Sequence, residues 1–234
     1  MISMAYMLKC IKLSYIQPMN ISMTRFPTIC LAFVLILGAC RQNSLGVFEH
    51  FQDIGNPALA GNTVYDSEKD SYTLSGSGYN IWFDRDEFHF LYKEVSGDFT
   101  LTSDMGLIGE GIDPHRKVGI MVRSSDADDA AHMTATIHGD GLTVLQWRRE
   151  DGMEMRDPED EIFAEEGNYQ TLKLERKGNE YTMWAAKAGG DLQPIGSHML
   201  ETIPENALVG LFICSHNPAI LEQGKFSRVK LTEN

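Results

Sequence analysis

The chain of 234 residues is acidic, with 33 Asp and Glu residues against 20 Lys and Arg residues and a formal net charge of −13 at pH 7. This charge argues against nucleic acid or an anionic lipid surface as a partner, because both are polyanions that attract basic proteins. Hydrophobic residues make up 43% of the chain and charged residues 23%, which is typical of a globular protein with a buried core.

The first forty residues have the pattern of an export signal. Arg25 supplies a positive charge, and residues 26–39 form an apolar run that is too short to span a membrane. The segment from Leu37 to Cys40 resembles a bacterial lipobox, which implies that Cys40 is diacylated after cleavage. The alternatives are an ordinary signal peptide or a short anchor that is retained. By resemblance to enterobacterial sorting, Arg41 gives no inner-membrane retention signal, so the outer membrane of the cell envelope is favoured.

Removal of residues 1–40 would leave an acidic domain without a disulfide. The segment contains three basic residues and no acidic one, so the formal charge moves from −13 to −16. Only Cys214 remains of the four cysteines, and stability must therefore come from burial of a core. Of the two plausible translation starts, Met19 and Met23, we favour Met23.

The rest of the chain predicts a short polar tether, residues 41–47, and one all-β domain, residues 48–234. Turn signals recur at intervals of about 8–12 residues, no repeat is visible, and no segment has a sustained helical period. This pattern indicates an antiparallel sandwich or barrel. In chain order, the predicted strands cover residues 72–74, 87–95, 99–103, 117–124, 132–138, 142–148, 170–176, 180–187, 195–199, 207–215 and 225–231.

The strands 132–138 and 142–148 form a predicted hairpin around Gly139-Asp140-Gly141. A three-residue turn with Gly141 at positive φ pairs Thr134 with Gln146 and separates apolar from polar side chains, whereas a two-residue turn mixes them. The apolar face is predicted to be core. The polar face is predicted to be either an ordinary solvent-facing surface or a binding surface. From the alternation, the residues predicted to be inside are Phe88, Phe90, Tyr92, Val118, Ile120, Ile137, Leu145 and Trp147.

Several segments, in their order and spacing, resemble one group of exported bacterial domains. The segments are Asp53-Ile54-Gly55, residues 76–82, Phe88-His89-Phe90, Gly97-Asp98-Phe99, residues 115–123, residues 138–142 and residues 210–217. They resemble concanavalin A-like lectin/glucanase superfamily domains, which occur beside TolB-like propellers or alone as lipoproteins. The resemblance implies a two-sheet jelly-roll sandwich whose concave sheet is the usual sugar-binding surface. It implies little about activity.

The sequence contains no clear catalytic motif. Retaining glucanases of this superfamily carry an E-x-D-x-x-E strand motif that supplies two nearby carboxylates, and this chain lacks it. The acidic cluster Glu159, Asp160, Glu161 and Glu165 is interpreted as a solvated loop. Cys214 could act as a nucleophile with His216, but a buried structural thiol is the favoured reading.

No metal or cofactor is predicted, with calcium at Asp126, Asp128 and Asp129 kept as the alternative to an exposed acidic turn. The histidines are scattered over separate strands, so zinc would require the fold to gather His89, His138 and His216.

The remaining candidate is the polar strand face, and we predict that it binds a carbohydrate. Stacking on an aromatic ring and hydrogen bonds from Arg, Gln and Thr suit a sugar, and Trp82 would be the stacking platform. The predicted ligand-binding residues are Trp82, His89, Arg123, Thr134, Thr136, His138, Gln146 and Arg148. On an exposed face, Arg148→Ala and Gln146→Ala should change stability by no more than about 0.5 kcal/mol.

Three functional classes follow from this sequence. The favoured class is a non-catalytic glycan-binding lipoprotein of the cell envelope. The others are a glycan-active hydrolase with an atypical acid/base set, drawn from Asp86, His138 and Asp140, and a structural envelope protein without a small ligand.

Overall fold

The computed structural model describes residues 44–233, which contain strands and turns and no helix. The predicted signal segment, Cys40 and residues 41–43 of the tether lie outside these residues. Within the described part, no helix is long and apolar enough to cross a membrane. The strands are β1 (His50–Ile54), β2 (Asn62–Asp66), β3 (Ser71–Gly76), β4 (Ile81–Trp82), β5 (Arg85–Asp86), β6 (Phe88–Ser96), β7 (Phe99–Ile108), β8 (Lys117–Arg123), β9 (His132–His138), β10 (Thr143–Arg148), β11 (Glu161–Phe163), β12 (Tyr169–Lys177), β13 (Glu180–Lys187), β14 (Gln193–Met199), β15 (Asn206–Cys214) and β16 (Glu222–Glu233).

Two seven-stranded antiparallel sheets pack face to face. The first sheet has the order β1-β6-β15-β8-β9-β10-β11, and the second has the order β14-β13-β12-β7-β16-β3-β2. Neighbouring strands in both sheets are often distant in sequence, as expected for a jelly roll rather than a simple meander. The predicted all-β, antiparallel two-sheet jelly-roll sandwich is therefore confirmed.

The main core lies between the two sheets. Each sheet contributes alternate side chains, because successive residues of a strand point to opposite faces. From the first sheet come Leu91, Val118, Ile120, Val122, Met133, Ala135, Ile137, Leu145, Trp147 and Leu211, and from the second come Leu74, Phe99, Leu101, Leu172, Leu174, Met183 and Phe226. The predicted burial of Val118, Ile120, Ile137, Leu145 and Trp147 is confirmed.

A second apolar layer lies on the opposite, outer face of the first sheet. It consists of Ile54, Ile81, Phe88, Phe90, Met121, Phe212 and Cys214, all buried. Phe88 and Phe90 are therefore buried as predicted but face away from the other sheet, and Tyr92 is only partly buried beside them. Alternation identified the two faces of β6 correctly. It could not tell which face was core, because both faces of this strand are covered.

The cover on the outer face is a separate two-stranded hairpin, β4–β5, together with its flanking residues. Ile81 of β4 packs into the second apolar layer, and Lys117 Nζ on β8 donates to Asn80 Oδ1 at 2.8 Å. Met155, from the acidic segment between β10 and β11, is buried and donates its backbone N–H to Phe83 O at 3.1 Å. The segment between β10 and β11 thus also helps to close the outer face.

The predicted register of the central hairpin is confirmed. Thr134 pairs with Gln146, and His132 pairs with Arg148. His138 N donates to Leu142 O at 2.8 Å, and Gly141 has φ of 92°. The three-residue turn therefore forms as its glycine predicts.

Candidate functional site

The polar residues predicted on β8, β9 and β10 do share the outer face of the first sheet. Met121 and Gln146 flank Thr134, while Arg123 and Arg148 flank His132. Thr136 and His138 continue the same face towards the turn. The fold thus brings six of the eight predicted ligand-binding residues onto one surface: Arg123, Thr134, Thr136, His138, Gln146 and Arg148.

That surface is covered, so the prediction that it is open to solvent is wrong. Thr134 and Thr136 are 1% exposed, and Arg123 and Arg148 are fully buried. The β4–β5 hairpin and the segment after β10 cover them. The hairpin strands have only two residues each, which is too short for a periodic pattern to reveal them in the sequence.

Asp86 is the centre of the covered surface. Its two carboxylate oxygens accept hydrogen bonds from the Arg148 guanidinium, at 2.6 Å from Nη2 and 2.8 Å from Nη1. Arg123 Nη2 lies 3.4 Å from Asp86 Oδ2, and His132 Nε2 lies 3.8 Å from the same oxygen. All four side chains are fully buried. Burial and the two guanidinium groups hold the pKa of His132 well below its usual range. The cluster therefore contains two cations, one anion and a neutral imidazole.

Both guanidinium groups also hold surrounding loops. Arg148 donates to the carbonyl oxygens of Met153 (3.0 Å), Ala130 (3.1 Å) and Phe83 (3.3 Å). Arg123 donates to Ser125 O at 2.7 Å and to Ala127 O. These contacts assign both residues a structural role, because a buried charge must be paired and hydrogen-bonded. The small stability cost predicted for Arg148→Ala and Gln146→Ala rested on an exposed face, and that premise is wrong. We now expect larger costs, since Arg148 is fully buried and buried Gln146 donates to Glu161 Oε2 at 3.2 Å.

His89 lies on the other face of the first sheet, so it cannot join the polar row. It is level with Ile213 and Val118, which belong to the main core. Its Nδ1 contacts Asp53 Oδ1 at 2.7 Å, and its Nε2 contacts Thr63 Oγ1 on the second sheet at 2.9 Å. Burial lowers the pKa of His89, with Asp53 opposing the shift. A neutral His89 thus donates to Asp53, accepts from Thr63 and links the two sheets.

The outside of the β4–β5 hairpin, which covers part of the predicted site, is an open surface. Tyr79 and Phe83 are 46% and 41% exposed and stack on each other, with ring centroids 6.4 Å apart and planes inclined by 25°. With Asp84, Arg85 and Glu154 they line a recess of about 360 Å³. Arg85 is also paired with Glu87. Trp82, the predicted stacking platform, is half-buried and pairs with Arg85 across the hairpin.

Phe83 adopts an uncommon backbone conformation in this recess. It is the first of the two turn residues between β4 and β5, and its φ is 56°. Glycine is the usual residue at that position of a two-residue turn with positive φ, because a bulky side chain there costs of order 1–3 kcal/mol. The strained turn presents the Phe83 ring beside Tyr79. Sequence reasoning missed it because the turn contains no glycine.

Other recesses border the sandwich. The largest of those described, about 500 Å³, is lined by Phe163, Tyr169, Lys187, Asp191 and Pro194 among others. The Tyr169 ring there already has the Lys187 ammonium 5.7 Å from its centroid. An acidic recess of about 280 Å³ contains Asp126 and Asp128. Calcium at that turn stays the alternative to the favoured exposed acidic turn.

The acidic cluster after β10 is not wholly solvated. Asp160 is 1% exposed and lies 2.6 Å from Arg149 Nε, while Glu161 is part of β11. Cys214 is a buried free thiol whose pKa burial raises to about 11, in agreement with the structural reading.

One further group of polar residues converges at the edge of the first sheet. The end of β15, the start of β8 and the end of β9 are neighbours there, since Cys214 pairs with Lys117 and Lys117 with His138. The His115 ring lies 5.7 Å from the His138 ring and 5.5 Å from the His216 ring, measured between centroids. The zinc site considered from the sequence consisted of His89, His138 and His216. In the structure His115, and not His89, lies beside His138 and His216.

No protein-family model matches the chain, and no curated protein is similar to it in sequence. Solved structures do match. A functionally unknown protein from Saccharomyces cerevisiae has 19% identity and a TM-score of 0.57, covering 74% of this chain and 96% of its own. The GH43B protein of the Bacteroides ovatus xyloglucan PUL has 14% identity and the same TM-score, covering 82% of this chain. The match spans only 38% of that longer protein. At these identities the similarity establishes a shared fold.

Proposed function

We propose that the protein is a lipid-anchored protein of the cell envelope whose β-sandwich binds carbohydrate without cleaving it. The binding site would be the recess around Tyr79 and Phe83 rather than the covered polar face. The observation that carries this proposal is the exposed, stacked ring pair, one member of which is held outward by a strained turn. Strain of this kind persists where the surrounding structure and a function require it.

The chemistry of the recess suits a sugar. Aromatic rings offer apolar faces to the C–H groups of a pyranose, and charged side chains can hydrogen-bond to its hydroxyl groups. Asp84, Arg85 and Glu154 supply such groups at the border of the recess. The fold is shared with part of a GH43B protein of a xyloglucan PUL, which supports a glycan as the class of ligand.

A hydrolase is the second candidate, and the burial of Asp86 counts against it. The carboxylate of Asp86 is fully buried and paired with Arg148, so it cannot reach a glycosidic bond as general acid or base. His138, the second member of the predicted acid/base set, is 5% exposed, and Asp140, the third, is exposed in the turn after β9. The anchor remains part of the proposal through the lipobox-like sequence ending at Cys40.

The test is affinity electrophoresis of the full-length chain against a panel of polysaccharides, with product analysis of the same mixtures. We expect retention without product release. Phe83→Gly should abolish retention without loss of stability, because glycine accepts the positive φ of the turn. The matched control is Phe163→Ala, which removes an exposed ring from the 500 Å³ recess and should leave retention unchanged.

Each other outcome would reject part of the proposal. Release of oligosaccharide would make the protein a hydrolase. Retention lost in Phe163→Ala and kept in Phe83→Gly would move the site to the other recess. No retention by any polysaccharide would favour a structural envelope protein.

A further inference from the structure

We propose that His115, His138 and His216 bind a divalent transition-metal ion, with zinc as the reference case. The site lies at the edge of the first sheet where β15, β8 and β9 meet. It is independent of the carbohydrate proposal, because none of these histidines borders the recess of Tyr79 and Phe83.

The spacing of the rings is close to that of a metal site. Imidazole nitrogens bind zinc at about 2.0–2.1 Å, which in a tetrahedral site places neighbouring ring centroids about 5 Å apart. The observed separations from His115 are 5.7 Å to His138 and 5.5 Å to His216. Within residues 44–233, no three His, Cys, Asp or Glu side chains already converge on one metal position. Binding therefore requires a small rotation, and His115 can make it because its side chain is exposed.

His138 points to a ligand independently of the spacing. It is 5% exposed, and neither of its ring nitrogens has a hydrogen-bond partner among the described residues. Buried polar groups nearly always have a partner, so two unpaired nitrogens on one buried ring call for a bound ion or water. The planes of the His138 and His115 rings are inclined by 88°, so the two rings do not stack face to face.

His216 has the support that metal-binding histidines usually have. Its Nδ1 lies 3.2 Å from Asp113 Oδ1, so the carboxylate can fix the tautomer and leave Nε2 free to bind an ion. Its φ of 56° is uncommon for a residue with a side chain. The Asp113 carboxylate also accepts the backbone N–H of His115 at 2.8 Å, which ties the two loops together.

The type of ligand, rather than the net charge around the histidines, favours a transition-metal ion. A neutral imidazole has a lone pair to give and is a preferred ligand of zinc, copper and nickel. Lys117 is the buried cation closest to this group along the sheet. Its ammonium donates to Asn80 Oδ1 at 2.8 Å. Asp113 supplies the opposite charge on the solvent side.

The test is titration of the full-length chain with Zn²⁺ by calorimetry, and with Co²⁺ by visible absorption, which reports tetrahedral coordination. We expect one tight ion per chain, lost in His115→Ala and His216→Ala and weakened about 10–100-fold in Asp113→Asn. His50→Ala is the matched control. It removes an exposed histidine from β1 and should bind like the unmodified chain.

His115 is exposed, so His115→Ala tests the site without risk to the fold, and its thermal melt without metal should match that of the unmodified chain. Absence of one-to-one binding by the unmodified chain would overturn the proposal. Equal affinity of the unmodified chain, His115→Ala and His216→Ala would also overturn it, because the ion would then be bound elsewhere, for example by cysteines outside the described residues.

Discussion

Asp86→Asn should be among the most damaging single substitutions in this domain. Among the described residues, Asp86 has the only carboxylate within 4 Å of the guanidinium groups of Arg123 and Arg148, which are fully buried, and this substitution removes its charge. Arg148 would keep its three backbone acceptors but lose its counter-charge. Removing one partner of a buried ion pair costs about 3–5 kcal/mol, because the remaining charge stays in a medium that solvates it poorly. That is a large part of the 5–15 kcal/mol by which a typical domain is stable.

The measurement is urea unfolding followed by tryptophan fluorescence. Asp84→Asn is the matched control, since it makes the same change two residues away at an exposed position and should cost less than about 0.5 kcal/mol. Asp86→Asn combined with Arg148→Met should cost less than the sum of the two single changes, because the double variant lacks the Arg148 charge that Asp86→Asn alone leaves without its carboxylate. A loss below about 1 kcal/mol for Asp86→Asn would refute the argument that this ion pair holds the cover in place.

Three other predictions follow. The pKa of His132 is well below its value in the unfolded chain. As the pH falls below about 6.5, His132 therefore binds a proton only in the unfolded chain. The free energy of unfolding should then drop by up to about 1.4 kcal/mol per pH unit. His132→Gln should flatten this slope in urea titrations, and an unchanged slope would contradict it. Ile137→Ala should cost about 2–5 kcal/mol by opening a cavity between the sheets, and a loss under 1 kcal/mol in the same assay would mean that the site collapses. Cys40→Ser should abolish labelling by fatty acid, whereas an unmodified chain that takes up no label would disprove the lipobox.

The central hairpin shows what the sequence could predict. Its register follows from two local facts, the alternation of β9 and β10 and the glycine that accepts φ of 92°. Both facts are encoded within a few residues, and the predicted pairing of Thr134 with Gln146 was correct. The sandwich was predicted from the same two signals, strand alternation and turn residues, which recur along the chain.

The cover of the outer face shows what the sequence could not predict. Polar side chains such as Arg148 and Thr134 normally indicate a solvent-facing surface. Here Arg148 is paired with an aspartate from a hairpin too short to have a period, and Thr134 donates to the backbone carbonyl of Gln146. The histidine group was hidden for a different reason. His115, His138 and His216 are far apart in the sequence, and only the strand order β15-β8-β9 brings them together.

The positions of the last two strands determine when this domain can fold. β15 lies between β6 and β8 in the first sheet, and β16 lies between β7 and β3 in the second. Neither sheet can close until residues 206–233 are available, because each lacks an interior strand before then. A chain that emerges amino-terminus first must remain open during its synthesis or export, with unpaired strand edges at the two gaps. Loss of residues 206–233 would thus divide each sheet in two instead of removing an edge strand, and the exposed strand edges would favour aggregation.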